Sequence, residues 1–179
     1  DAGQNFAFLF AVLLLPLFSK MIKEKESINH LVKLSFSLII TGALIISIIS
    51  SFFGEQLMQL MYTPFESETH VDYLNRINES AKIFKLLMFS FVAISATYIF
   101  GTLLTANNNL KQLNIIASAG LITNLLLNFI LIPHFLAFGS AIASLTAQSF
   151  TALLQLGFAY YILKLKIDPK MLFGIATIV

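Results

Sequence analysis

Residues 112–163 read QLNIIASAGLITNLLLNFILIPHFLAFGSAIASLTAQSFTALLQLGFAYYIL, 52 positions without one formal charge. A helix needs about 20 apolar residues to cross a bilayer, so this run is long enough for two spans and a turn. The turn is expected where Pro133 and Gly139 bracket His134-Phe135-Leu136-Ala137-Phe138, because Pro and Gly are the strongest local punctuators of structure. Outward from this run lie three more charge-free stretches: Ala2–Ser19, Leu34–Gly54 and Leu86–Leu110, of 18, 21 and 25 residues. Another apolar stretch opens at Met171. The pattern predicts an all-α membrane protein, a polytopic bundle of five transmembrane helices plus the start of a sixth. The helices are expected at about 4–20, 31–54, 82–106, 112–132, 138–163 and from 171–179 onward. One wholly apolar helix could be the centre of a water-soluble core. Five in succession, none with a polar face, argue against that.

Composition agrees. Of the 179 residues 58% are hydrophobic and 11% charged, with a net charge of +2 and a mean hydropathy of +0.85. Soluble domains average about 25% charged residues. The shortfall excludes an ordinary water-facing surface and disorder. It also excludes nucleic acid as a partner, since so few dispersed cations cannot neutralise a run of phosphates. No cysteine is present, which removes disulfides and thiolate metal sites. The N-terminal apolar run lacks the basic leader and small-residue cleavage site of a signal peptide. The chain begins at Asp1 and ends within an apolar stretch, so residues 1–179 read as one membrane domain of a longer protein.

Charge alternates from loop to loop. Loops 20–33, 107–111 and 164–170 hold eight lysines: Lys20, Lys23, Lys25, Lys33, Lys111, Lys164, Lys166 and Lys170. The connection from Glu55 to Lys85 has five acids against Arg76, Lys82 and Lys85, and the 133–138 turn has no formal charge. Lys and Arg bias sets orientation, positive side inward. The three lysine loops are therefore expected in the cytoplasm, with loop 55–81 and turn 133–138 outside. Within the long loop, Leu57–Tyr62 is amphipathic, Thr63-Pro64 should break it, and a new helix is expected near Ser80. Asn78-Glu79-Ser80 matches the short glycosylation pattern, a match that chance explains.

Chemistry-bearing groupings are scarce. There is no phosphate-binding glycine loop and no Ser/His/Asp set. His30, His70 and His134 fall in three different loops, so no metal, cofactor or enzymatic activity is expected. The nearest acid/base set is His70, Asp72 and Arg76, read as solvated loop surface. No span carries a deep charge, the usual mark of an ion pathway. What the spans do carry is small and amide residues in stripes: Ala93, Thr97, Gly101 and Thr105; Gly120, Asn124 and Asn128; Gly139, Ala143, Ala147, Thr151 and Gln155; Ser140, Ser144, Gln148 and Ala152. Residues four apart share a helix face, and membrane helices associate through small and polar residues. Ala93, Thr97, Gly101, Gly139, Ala143 and Ala147 are thus read as helix-packing positions. Asn124, Asn128, Gln148 and Gln155 are the candidates for a substrate pathway, since a carboxamide both donates to and accepts from sugar hydroxyls.

Several segments resemble polysaccharide-biosynthesis flippases, the O-antigen type of exporter, within the superfamily that includes multidrug-and-toxin exporters. The resemblance lies in Asn124-Leu125-Leu126-Leu127-Asn128-Phe129-Ile130-Leu131-Ile132-Pro133 followed by Gly139-Ser140-Ala141-Ile142-Ala143-Ser144, in Leu104-Thr105-Ala106-Asn107-Asn108, and in Leu14-Leu15-Pro16-Leu17-Phe18-Ser19. It covers roughly residues 2–165 in order. One departure stands out: the family usually has Gly three residues after the Pro, where this chain has Leu136, so a differently shaped turn is expected. The resemblance implies most of the second lobe of a two-lobe transporter with 12 or 14 spans in the cytoplasmic membrane. Its partners would be the bilayer, a lipid-linked glycan and the N-terminal lobe of the same chain. Its work would be alternating access around a central cavity. Three other functions compete: a cation-coupled multidrug exporter, which needs an ionisable residue within a span; a polysaccharide polymerase or ligase, which needs a large outer loop with clustered Arg, His and acids; and a non-transporting membrane scaffold.

Overall fold

The structure, a computed structural model, describes residues 2–165. The expected sixth span and the lysines after Leu165 lie outside the described residues. Five helices follow in order: α1 (Ala2–Lys23), α2 (Asn29–Phe52), α3 (Gly54–Met61), α4 (His70–Ala106) and α5 (Leu110–Leu163). By length and composition α2, α4 and α5 are each long and apolar enough to cross a membrane.

α5 is a hairpin rather than a rod. Its helical backbone is broken once, at Leu136, with φ 50° and ψ −131°. A Cβ on Gly139 would lie 2.5 Å from Leu131 O, although eight residues of straight helix span about 12 Å. A Cβ on Gly120 would overlap Thr151 Oγ1. These two contacts, at 131/139 and 120/151, fix one antiparallel register centred on Leu136. The arms, 110–135 and 137–163, are each long enough for one bilayer crossing. The break is one residue wide, narrower than the expected 133–138 turn. Pro133 sits within the first arm, where its missing N–H removes one helical bond without ending the helix.

α4 is the hub and packs against each of the other helices. α2 and α3 form one bent rod antiparallel to it: Ser47 Oγ donates to Met88 O at 2.6 Å, and Gly54 lies beside Lys85 and Ala81. Both arms of α5 reach the far end of α4, where Gly101 meets Leu113 from one arm and Gln155 from the other. At that end Phe18, Ile28, Val32, Leu103, Leu104, Ile116, Ala159 and Leu165 share one buried apolar cluster. The segments carrying Lys20 to Lys33, Lys111 and Lys164 therefore gather at one end of the bundle.

α4 corrects the sequence reading at its start. The helix was expected near Ser80–Lys82 but begins at His70. Thr69 caps it: Asp72 N donates to Thr69 Oγ1 at 3.2 Å, and Thr69 Oγ1 donates to Asp72 Oδ2 at 2.6 Å. The loss of apolar residues before Leu86 marks the end of the membrane-compatible part, not the end of the helix. The 16 residues before Leu86 extend it by about 24 Å. Met58, Ile77 and Ala81, with Tyr73 and Phe84, form a second small core that fastens α3 to this extension.

Candidate functional site in the amide-bearing helix pair

The four candidate amides all lie on α5, and the hairpin register decides which of them meet. It sets Asn124 level with Ala147 and Asn128 level with Ala143, so Gln148 belongs to the same half of the hairpin. Gln155 lies about two turns nearer the lysine end. Asn124, Asn128 and Gln148 are half-buried. Asn128 Nδ2 donates to Asn124 O and Asn124 Oδ1, both at 2.9 Å. This amide pair is joined within one helix. Asn128 Oδ1 is buried without a partner. Gln148 makes no hydrogen bond among the described residues, so its amide is open to a ligand or to water.

Gln155 is different. It is 3% exposed, sits against the backbone of Gly101, and leaves Oε1 unpartnered. Ser95 Oγ is likewise buried and unpartnered. An unmade buried hydrogen bond costs about 1–3 kcal/mol. The two groups lie apart: Gln155 is on the α5 arm against Gly101, and Ser95 is two turns along α4 from Met88, whose carbonyl accepts from Ser47 of α2. Most other hydroxyls in the spans have no such need. Thr97, Thr105, Thr123 and Thr151 donate to the carbonyls of Ala93, Gly101, Ala119 and Ala147 in their own helices, at 2.8–3.0 Å.

Of the positions read as packing sites, Gly139, Ala143 and Ala147 are buried. Their face meets the first arm of α5, as the Gly139–Leu131 contact requires. Gly101 is half-buried against Gln155, Thr97 is half-buried, and Ala93 is half-buried on the floor of an apolar groove. Several large residues of the first arm face outward, among them Leu121, Leu125 and Phe129, the last 85% exposed. Only 11% of the most apolar window of α5 is buried. Contiguous apolar surface of that extent is foreign to a soluble monomer.

The set His70, Asp72 and Arg76 is not brought together as one site. Asp72 serves the Thr69 cap, and His70 is exposed. Arg76 grips Glu68 in a two-pronged pair, Nε to Oε1 and Nη2 to Oε2, both 2.8 Å. Nη2 also donates to Thr63 O at 3.2 Å, and the guanidinium sits 4.4 Å from the Phe65 ring centroid. Tyr73 donates its hydroxyl proton to Tyr62 O at 3.0 Å. The segment from Tyr62 to Thr69 is thus strapped to the α4 extension, where the sequence suggested a solvated loop. The Arg76 hydrogen bonds hold the Glu68 carboxyl below its ordinary range. Nothing in the spacing of Glu68 and Arg76, eight residues apart across a loop, announces this pairing. No group of three or more His, Cys, Asp or Glu suited to a metal occurs among the described residues.

Compared with protein families, with curated proteins and with solved structures, the chain matches none.

Proposed function

We propose that this chain is part of the second lobe of a membrane exporter that moves an isoprenoid-linked oligosaccharide across the cytoplasmic membrane for cell-surface polysaccharide assembly. In this reading α1, α2, the apolar part of α4 and the two arms of α5 are five spans. The lysine-bearing end faces the cytoplasm, and the α3–α4 extension and the Leu136 turn face outside. Burying many unpaired sugar hydroxyls in hydrocarbon would be prohibitive. A cavity lined by amides such as Asn124 and Gln148 would shield the glycan while its lipid tail stays in the bilayer.

The observation that carries the reading is Leu136. The resemblance sets this residue where the flippase family has Gly, three positions after the Pro. Leu136 adopts a backbone, φ 50° and ψ −131°, that glycine enters freely and leucine rarely does. Leu136 thus holds a backbone that suits the glycine the resemblance puts at this position, which supports that alignment. The absence of a formal charge from 112–163 argues against a coupling-ion site in this part, and so against the cation-coupled alternative.

The test is loss of the full-length protein in its own cell. Lipid-linked oligosaccharide should accumulate on the cytoplasmic leaflet while surface polysaccharide falls. Unchanged surface polysaccharide and no accumulated precursor would rule the reading out.

A further inference from the structure

A groove of about 540 Å³ runs along the bundle between α2, α4 and the second arm of α5. Its floor is α4, where Ala93 and Ala96 are too short to fill the space between the helices. Phe36, Phe89 and Phe100 form its rims, and Ser149 is the only residue with a polar side chain in its lining. Along α4 it extends from Phe89 to Phe100, about 16 Å at 1.5 Å per residue. An apolar groove of that length suits a hydrocarbon chain.

Charge tells which end a head group would take. On α2 the groove is lined by Phe36, Ile40 and Leu44, and Lys33 lies one turn before Phe36 on the same side, exposed. On α5 the lining ends at Leu156, with exposed Tyr160 and Lys164 one and two turns beyond. Two lysines therefore flank one mouth of the groove, at the lysine-rich end of the bundle. No acidic residue lies between them on either wall.

We propose that the groove holds one acyl chain of an anionic phospholipid, its phosphate between Lys33 and Lys164. The site is separate from the amides of the α5 hairpin and does not depend on the glycan reading. The full-length protein, purified in mild detergent, should retain phosphatidylglycerol in preference to phosphatidylcholine by native mass spectrometry. A lysine beside a lipid phosphate is worth about 1 kcal/mol, so Lys33→Gln and Lys164→Gln should each lower that preference about fivefold. Ala96→Phe should abolish retention by filling the floor. Because that variant could fail to fold, phosphatidylglycerol with a photoreactive acyl chain provides the second measurement on the unaltered protein. Its adducts should concentrate on 89–100 and 145–156. Adducts spread evenly over outward residues such as Phe129, no adducts in those segments, or a lipid preference untouched by both lysine variants would overturn the proposal.

Discussion

Replacing Leu136 with Gly should make the protein more stable, although it removes a leucine. Residues held in sparsely populated backbone regions cost about 1–3 kcal/mol each, and Leu136 has φ 50° and ψ −131°. Its side chain is 73% exposed, so little packing is lost with it. Glycine gives back about 0.5–1 kcal/mol through its greater freedom in the unfolded chain. The net gain is about 1 kcal/mol, or roughly 2–4 °C in Tm for a protein of this size. Leu136→Ala is the control, since it loses the same side chain but keeps the backbone penalty. Thermal unfolding of the full-length protein in detergent should rank Gly above both Ala and the native Leu. A Gly variant no more stable than the Ala variant would refute the argument that the turn is strained at this residue.

The hairpin contacts predict that Gly120→Ala and Gly139→Ala destabilise, by about 1–3 kcal/mol each from overpacking. Gly42→Ala, where a Cβ meets nothing within 4 Å, should be neutral or gain up to about 1 kcal/mol from helix propensity. The yield of folded, extractable protein and its Tm separate the three. For Asn124 and Asn128, whose bonds stay within one helix, the double Asn124→Ala/Asn128→Ala variant should keep normal protein levels and reduce delivery of surface polysaccharide. Loss of folded protein instead would assign the pair to packing. The Glu68 carboxyl, lowered from an ordinary value of 4.5 by Arg76, contributes stability that is present above that value and lost as pH falls through the lower folded one. The protection factors of amides across 62–69, taken against intrinsic exchange at each pH, should fall in acid below 4.5, and Glu68→Gln should lower them at every pH; native-like protection in Glu68→Gln would contradict the strap.

The apolar part of the fold is legible because each charge-free run is a helix by the bilayer-length argument, and among the described residues these runs are helical except at Phe53, at 107–109 and at the Leu136 break. Polarity before Leu86 hides the α4 start, because a polar stretch reads as loop although it continues the helix. The signal was there in Thr69-His70-Val71-Asp72, a Ser/Thr followed three residues later by an acid, which is the pattern of a helix N-terminus. Pro133 and Gly139 locate the hairpin turn, but not its pivot at Leu136, since no local rule puts leucine at positive φ. Gln155 shows the limit of stripe reading for the site. Periodicity set it in line with Gly139, Ala143 and Ala147, but only the packing of two distant helices reveals that it is sealed against Gly101. The strap of Arg76 on Glu68 depends on how a loop folds back, which neither residue's neighbours encode.

The central claim is that the chain crosses the bilayer at each arm of α5, with the lysine end in the cytoplasm. This chain contains no cysteine, so single cysteines at Ser27, Ser67, Asn108 and His134, all exposed, report sidedness with a membrane-impermeant thiol reagent. Ser27→Cys and Asn108→Cys should react only from the cytoplasmic side, and Ser67→Cys and His134→Cys only from outside. His134→Cys reacting from the same side as Asn108→Cys would contradict the account, because the first arm of α5 would then not cross the membrane.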